Sequence, residues 1–264
     1  MLNTPSPEIA PVYPAPSVES KAQQVPAPFT SKCLQSDFMH RLSGGFLERL
    51  LINFASFFEN IALSLHKSSD TLQLIRQTRR ERKWLLTSNE AFFVHSLARS
   101  QSRLPGSLAE VGVFEGGSAR MICETKGHSR LHLFDTFAGL PAASEFDSCA
   151  HRSQPNLYAC SLESVQTYLE SFPNVFFHQG LFPHSVDKVP ADETFSFAHL
   201  DVDLYESTLR CLEYFYPRMA PGGVILSHDY SILEGVRKAF AEYLHDKPEE
   251  LIELPTTQCM LVKI

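Results

Sequence analysis

Glu110-Val-Gly112-Val-Phe-Glu115-Gly116-Gly117-Ser118 closes a β-rich run at 108–113 and leads directly into a helical pattern at about 117 to 125. Glycines at a strand-to-helix turn let a ligand approach the backbone closely. They also leave the first N–H groups of the helix open to a carboxylate or phosphate. The spacing is G-x-x-x-G-G, not the G-x-G-x-x-G of dinucleotide binders, so the turn alone does not name a ligand. Working outward, further β-rich runs fall at 131–135, 175–179, 195–203 and 224–229, with helical patterns at 161–171, 205–219 and 233–246 between and after them. Such alternation predicts βαβ units on a parallel sheet. The last residues, 251–253 and 258–263 on either side of Pro255-Thr256-Thr257, read as an antiparallel hairpin.

Acidic residues recur at the ends of these runs. Asp135 ends the second, one βαβ step after Glu110, where an acid can accept from both hydroxyls of a ribose. Together with the glycine turn it points to an adenosine-containing ligand; the alternative is a residue that only caps the next turn. The fourth run ends in His199-Leu-Asp201-Val-Asp203, where strand alternation predicts both carboxylates on one side. The fifth closes with Ser227-His228-Asp229-Tyr230, which adjacent parallel strands would bring beside Asp201. That cluster reads either as a divalent-metal site at the carboxyl rim of the sheet or as a hydrogen-bonded structural group.

The 264-residue chain is large enough for a full core. Its net charge of −7 argues against general nucleic-acid binding. Charge divides unevenly, −1 over residues 1–30, +5 over 31–104 and −11 over 105–264, so the chemistry is expected in the acidic part. Residues 1–30 hold seven of the seventeen prolines and read as a disordered tail. Residues 31–100 read as an N-terminal helical segment that serves as lid and oligomerisation element, with an apolar, Phe-rich helical stripe from 46 to 65. That stripe reads as a helix packed on the main domain or on a second subunit, and a patch so large predicts a homo-oligomer because it needs cover; a membrane-surface helix is the competing reading. Arg76, Arg79, Arg80, Arg82 and Lys83 read as a solvated helix face. No stretch suits a transmembrane span or a secretory leader, and six cysteines without C-x-x-C spacing fit a reducing, cytoplasmic setting.

Five ordered motifs carry a resemblance to a known family. They are the Glu110 to Ser118 turn, Phe134-Asp-Thr-Phe-Ala-Gly-Leu-Pro141, Gly180-Leu-Phe-Pro183, Asp201-Val-Asp-Leu-Tyr-Glu-Ser-Thr208, and Pro221-Gly-Gly223 followed by His228-Asp-Tyr230. From about residue 85 onward the chain resembles the macrocin O-methyltransferases, which use S-adenosylmethionine to methylate sugar hydroxyls of natural products. The resemblance implies a class I methyltransferase (Rossmann-like) α/β fold, a seven-stranded sheet mostly parallel with an antiparallel last strand, in a domain over 101–264. It implies that Glu110, Gly112, Gly116, Gly117 and Ser118 surround the methionine part of the cofactor, that Asp135 binds its ribose, and that Gly180, Leu181 and Phe182 edge the adenine pocket. It places a metal, usually magnesium, on Asp201, His228 and Asp229, with Asp201 as the base. The imidazole at 228 departs from the family's carboxylate there. The acceptor, a small-molecule hydroxyl, would be covered by 142–160, which includes His151 and Tyr158, and by the N-terminal helices. A nicotinamide-dependent oxidoreductase and a non-catalytic nucleoside-binding scaffold are the other classes compatible with this βαβ start.

Overall fold

The computed structural model of the protein describes residues 46–147 and 156–264. The expected Pro-rich tail, residues 31–45, Cys33, Cys149 and His151 lie outside the described residues.

Three helices come first: α1 (Phe46–Ser64), α2 (Ser69–Glu81) and α3 (Ser88–Gln101). The start of α3 is written in Thr87-Ser-Asn-Glu90, a capping box. The Thr87 hydroxyl accepts from Glu90 N, and the Glu90 carboxylate accepts from Thr87 N at 2.8 Å. There follow β1 (Ser107–Val111), α4 (Gly117–Cys123), β2 (Leu131–Asp135), α5 (Leu162–Leu169), β3 (Val175–Gln179) and β4 (Phe195–Leu200). The chain ends with α6 (Tyr205–Phe215), a 3-10 turn (Tyr216–Arg218), β5 (Met219–Ser227), α7 (Glu234–Leu244), β6 (Ile252–Glu253) and β7 (Cys259–Val262).

Among the described residues these strands form one sheet in the order β3-β2-β1-β4-β5-β7-β6, and β7 runs antiparallel between β5 and β6. The expected seven-stranded sheet with an antiparallel last strand is therefore present. Every residue of β1 and β4 is buried, because helices cover both faces. Leu108, Leu131, Leu133 and Phe197 pack toward α2, α3 and α4 through Leu72, Ile75, Val94 and Met121. Their strand neighbours Ala109, Phe134 and Ala198 pack toward α6 and α7 through Cys211, Phe215, Val236 and Phe240. Arg76, Arg80 and Lys83 are exposed, as a solvated face requires, and Arg79 and Arg82 depart from it. The Arg79 guanidinium donates to Leu86 O and lies 5.5 Å from the Trp84 ring, while Arg82 donates to Ser164 O and Oγ. Arginine forks find carbonyls that a helix stripe cannot announce.

Glu249 anchors the C-terminal strand. Its buried carboxylate accepts from Tyr216 Oη, Lys263 Nζ and Ile264 N. Burial raises its pKa, but these donors outweigh it and hold the group at about 2, against an ordinary 4.5. A carboxylate whose folded pKa is depressed stabilises fully above its unfolded pKa, and that contribution is lost as pH falls toward the folded value. Between about pH 7 and about pH 3 the native protein should lose on the order of 2 kcal/mol more stability than Glu249→Gln, read from urea midpoints. Equal losses would contradict the assignment.

Candidate functional site at the carboxyl rim of the sheet

Strand register brings the site together. Val111 pairs with Leu200, and Leu200 pairs with Ser227, so the residues that follow β1, β4 and β5 emerge side by side. Asp201 N donates to Val111 O at 2.9 Å and His228 N to Leu200 O at 2.8 Å, which fixes the two residues on neighbouring strand ends. Gly112, with φ +86°, lies directly against this junction: a Cβ there would sit 1.8 Å from the Asp201 carbonyl oxygen.

A cavity of about 410 Å³ opens over these ends. Of the residues singled out in the sequence, Gly112, Gly117, Ser118, Asp135, Gly180, Leu181, Phe182, Asp201, His228 and Asp229 line it. Gly116 and Glu110 are not among the lining residues. Gly116 is the left-handed N-cap of α4, facing Val165 of α5. Glu110 is fully buried and bonded to His199 Nδ1 at 2.8 Å, with burial raising its pKa. Asp135 accepts from Val113 N, Phe114 N and Phe137 N at 2.7 to 2.9 Å, so its carboxylate ties the glycine turn to the loop after β2. A carboxylate has about four acceptor positions, so one remains for a ligand hydroxyl. Leu51, Ile52 and Ala55 of α1, the 83–87 stretch and Tyr158 complete much of the wall. Trp84 lies flat on Gly117, whose Cβ would meet the indole at 3.2 Å.

The acids gather around one imidazole. His228 Nδ1 is 3.2 Å from Asp201 Oδ1 and 3.1 Å from Asp229 Oδ1, and Nε2 is 3.3 Å from Glu90 Oε2. Burial alone would lower the His228 pKa, but Asp229, Asp201 and Glu90 together raise it well above its ordinary value. Burial likewise works to raise the pKa of Asp201 and of Glu90. The His228 charge overcomes it in both, lowering Asp201 and holding Glu90 at about 2. Asp203 is held well above the usual carboxylate range by burial and then by Asp229 and Asp201. Asp201 and Asp203 do share the cavity, but not by strand alternation. β4 ends at Leu200 and Asp203 adopts φ +58°, so a turn and not the pleat brings them together.

Glu90 is the site residue that sequence reading missed. Thr87-x-x-Glu90 announces a helix start, and only the fold carries that helix end to the β5 rim, where Thr257 N and Oγ1 also donate to Glu90. The donor set suits a divalent cation. Asp201, His228 and Asp229 each offer a ligand atom, all within 4.8 Å of one another, and Nδ1 of the buried His228 lacks a hydrogen bond on the side of the two aspartates.

No helix among the described residues is long and apolar enough to cross a membrane. The chain is 33% identical over 155 residues to 8-demethyl-8-(2,3-dimethoxy-alpha-L-rhamnosyl)-tetracenomycin-C 4'-O-methyltransferase of Streptomyces olivaceus. That match takes in 53% of this chain and 58% of the relative, less than two thirds of the latter's length. Among solved structures, the O-methyltransferase NovP superposes with TM-score 0.60 at 24% identity, covering 68% of this chain and 81% of the other. The O-methyltransferase from Bacillus cereus in complex with SAH superposes with TM-score 0.52 at 16% identity, covering 80% of this chain and all of the other. At such identities these likenesses establish the class I methyltransferase fold. The sequence profile described as Macrocin-O-methyltransferase (TylF) matches residues 94–258, well over half of the chain. The chain therefore belongs to the macrocin-O-methyltransferase family.

Proposed function

We propose that the protein is an S-adenosylmethionine-dependent O-methyltransferase that acts on a hydroxyl of a small molecule, a sugar or another natural-product acceptor, with divalent-metal assistance. The observation that carries this reading is the cavity itself. The glycine turn, Asp135, the Gly180 turn and the Asp201 cluster, far apart in sequence, line one space at the strand ends, where open α/β sheets hold ligands. Family membership, the sugar named in the tetracenomycin relative and the SAH named in the Bacillus structure support it.

In this reading Gly112, Gly117 and Ser118 lie beside the methionine part of the cofactor, Asp135 accepts from the ribose, and Gly180, Leu181 and Phe182 edge the adenine. Glu110 and Gly116 act from behind, by shaping the turn. The cofactor supplies an electrophilic methyl group on a sulfonium, and a divalent ion on Asp201, His228 and Asp229 supplies Lewis acidity. Asp201, ionised at neutral pH, takes the proton of the acceptor hydroxyl. The apolar wall of Leu51, Ile52, Ala55 and Trp84 excludes water and holds the acceptor in line with the methyl group. Incubation of natural-product extracts with protein, cofactor and a divalent ion should yield products heavier by one methylene, dependent on the protein. The same protein binding NAD and not S-adenosylmethionine would defeat the proposal.

A second copy of the chain is the proposed cover for α1. Leu50, Phe54, Phe57, Phe58 and Ile61 are 50% to 65% exposed on its outer side, and no charge falls between Leu50 and Phe58. Light scattering should give a dimer or larger, and Phe54→Glu with Phe58→Glu should give a monomer. A wild-type monomer would contradict the assembly.

A further inference from the structure

The imidazole of His228 separates this rim cluster from an all-carboxylate one. We infer that Asp201, His228 and Asp229 select a first-row transition ion such as manganese over magnesium, with Glu90 as the positioning residue behind the ring. The inference rests on the proposed divalent-metal site and concerns which ion it takes.

The geometry around Nδ1 is that of ligands around a shared centre. Two carboxylate oxygens lie 3.1 and 3.2 Å from the same nitrogen, yet neither lies close enough to its N–H direction to form a hydrogen bond. Bonds of about 2.1 Å to one ion put neighbouring donor atoms roughly 3.0 Å apart at right angles and about 3.4 Å apart at the tetrahedral angle. Both separations from Nδ1 fall between those limits, and the donor atoms of all three residues lie within 4.8 Å of one another. A pair of hydrogen bonds would instead need an oxygen in line with the ring nitrogen.

The opposite edge of the ring completes the arrangement. Glu90 Oε2 faces Nε2 at 3.3 Å, and Glu90 is itself pinned by Thr87 N at 2.8 Å and by Thr257 Oγ1 at 2.6 Å. The Glu90 charge 3.3 Å from Nε2 favours the proton on that nitrogen and leaves the far one free to ligate. With Glu90 at Nε2, the ligating nitrogen is Nδ1, on the side of the two aspartates, and metal binding releases the Nδ1 proton to solvent. Magnesium prefers oxygen donors and gives up water reluctantly, whereas imidazole suits first-row transition ions such as iron, nickel and zinc; manganese, the weakest binder of that row, still accepts a nitrogen donor more readily than magnesium does. One nitrogen donor in place of an oxygen therefore moves the preference away from magnesium.

Calorimetric titration of the full chain with manganese chloride and with magnesium chloride tests this, together with pulsed electron paramagnetic resonance of the manganese complex. Manganese should bind at least about tenfold more tightly than magnesium, and its spectrum should carry nitrogen coupling from one imidazole. His228→Asp should remove that coupling and reduce the preference for manganese at least about threefold. Glu90→Gln should keep the coupling while weakening manganese about tenfold, in the range of outer-sphere carboxylates. Equal or tighter magnesium binding, a manganese complex without nitrogen coupling, or no binding of either ion would each overturn the inference. Cofactor titration without added metal separates the two readings. Manganese preference without cofactor binding sinks only the methyltransferase reading, and cofactor binding with magnesium preference sinks only this one.

Discussion

Asp201→Asn should lower methyl transfer by about 10³-fold, within the range for loss of a general base. Cofactor affinity should stay within about threefold, since the amide keeps the shape of the side chain and the cofactor contacts proposed here belong to other residues. The substitution removes the negative charge that faces His228 at 3.2 Å and the only group assigned to take the hydroxyl proton. Because His228 holds the Asp201 pKa down, the carboxylate is ionised across the neutral range, and no pH adjustment restores a base to the amide. Turnover within about tenfold of wild type would move the base role to another carboxylate that lines the cavity, such as Asp229.

Among the described glycines, Gly112→Ala should have the largest structural effect. The new Cβ would stand 1.8 Å from the Asp201 carbonyl oxygen and 2.7 Å from its carbonyl carbon, and both belong to backbone that cannot swing aside. The residue also sits at φ +86°, where an L side chain is strained. Together these should cost on the order of 4 kcal/mol, with β4 pushed away from β1 at the point where Asp201 leaves the sheet. Gly127→Ala is the control. Its φ is +57° but a Cβ there meets nothing within 4 Å, so only the backbone term applies, about 1 kcal/mol. Urea unfolding of the two variants should separate them clearly. Similar midpoints would mean that the close approach at Gly112 does not exist in solution.

Gly112 also shows what the sequence could convey. The glycine turn after a strand was legible, and so was its connection to the helix that follows, because local chain geometry demands glycine there. What the glycine accommodates was not legible: besides edging the cavity, it makes room for the backbone of Asp201, just past the end of β4. Asp135 has the same double character. Its place at the end of β2 was readable from periodicity, while its three bonds to backbone N–H groups depend on how two loops meet. The central strands emerged well because buried parallel strands are nearly continuous apolar runs. The end of β4 did not, since Asp201-Val-Asp203 has the alternation of a strand but leaves the sheet after Leu200. Glu90 was invisible as a site residue for a simpler reason. Its signal is consumed by the capping box, and its contact with His228 spans 138 positions, a juxtaposition that only the packing of α3 against the end of β5 creates.

The cavity over the strand ends is the proposed pocket for S-adenosylmethionine. Trp84, the chain's single tryptophan, lies in its wall against Gly117 and reports on its contents. Titration with S-adenosylmethionine should quench this fluorescence with one site per chain, and Asp135→Ala should weaken binding at least about tenfold. An unchanged Trp84 signal together with an absence of heat on calorimetric titration would contradict the account.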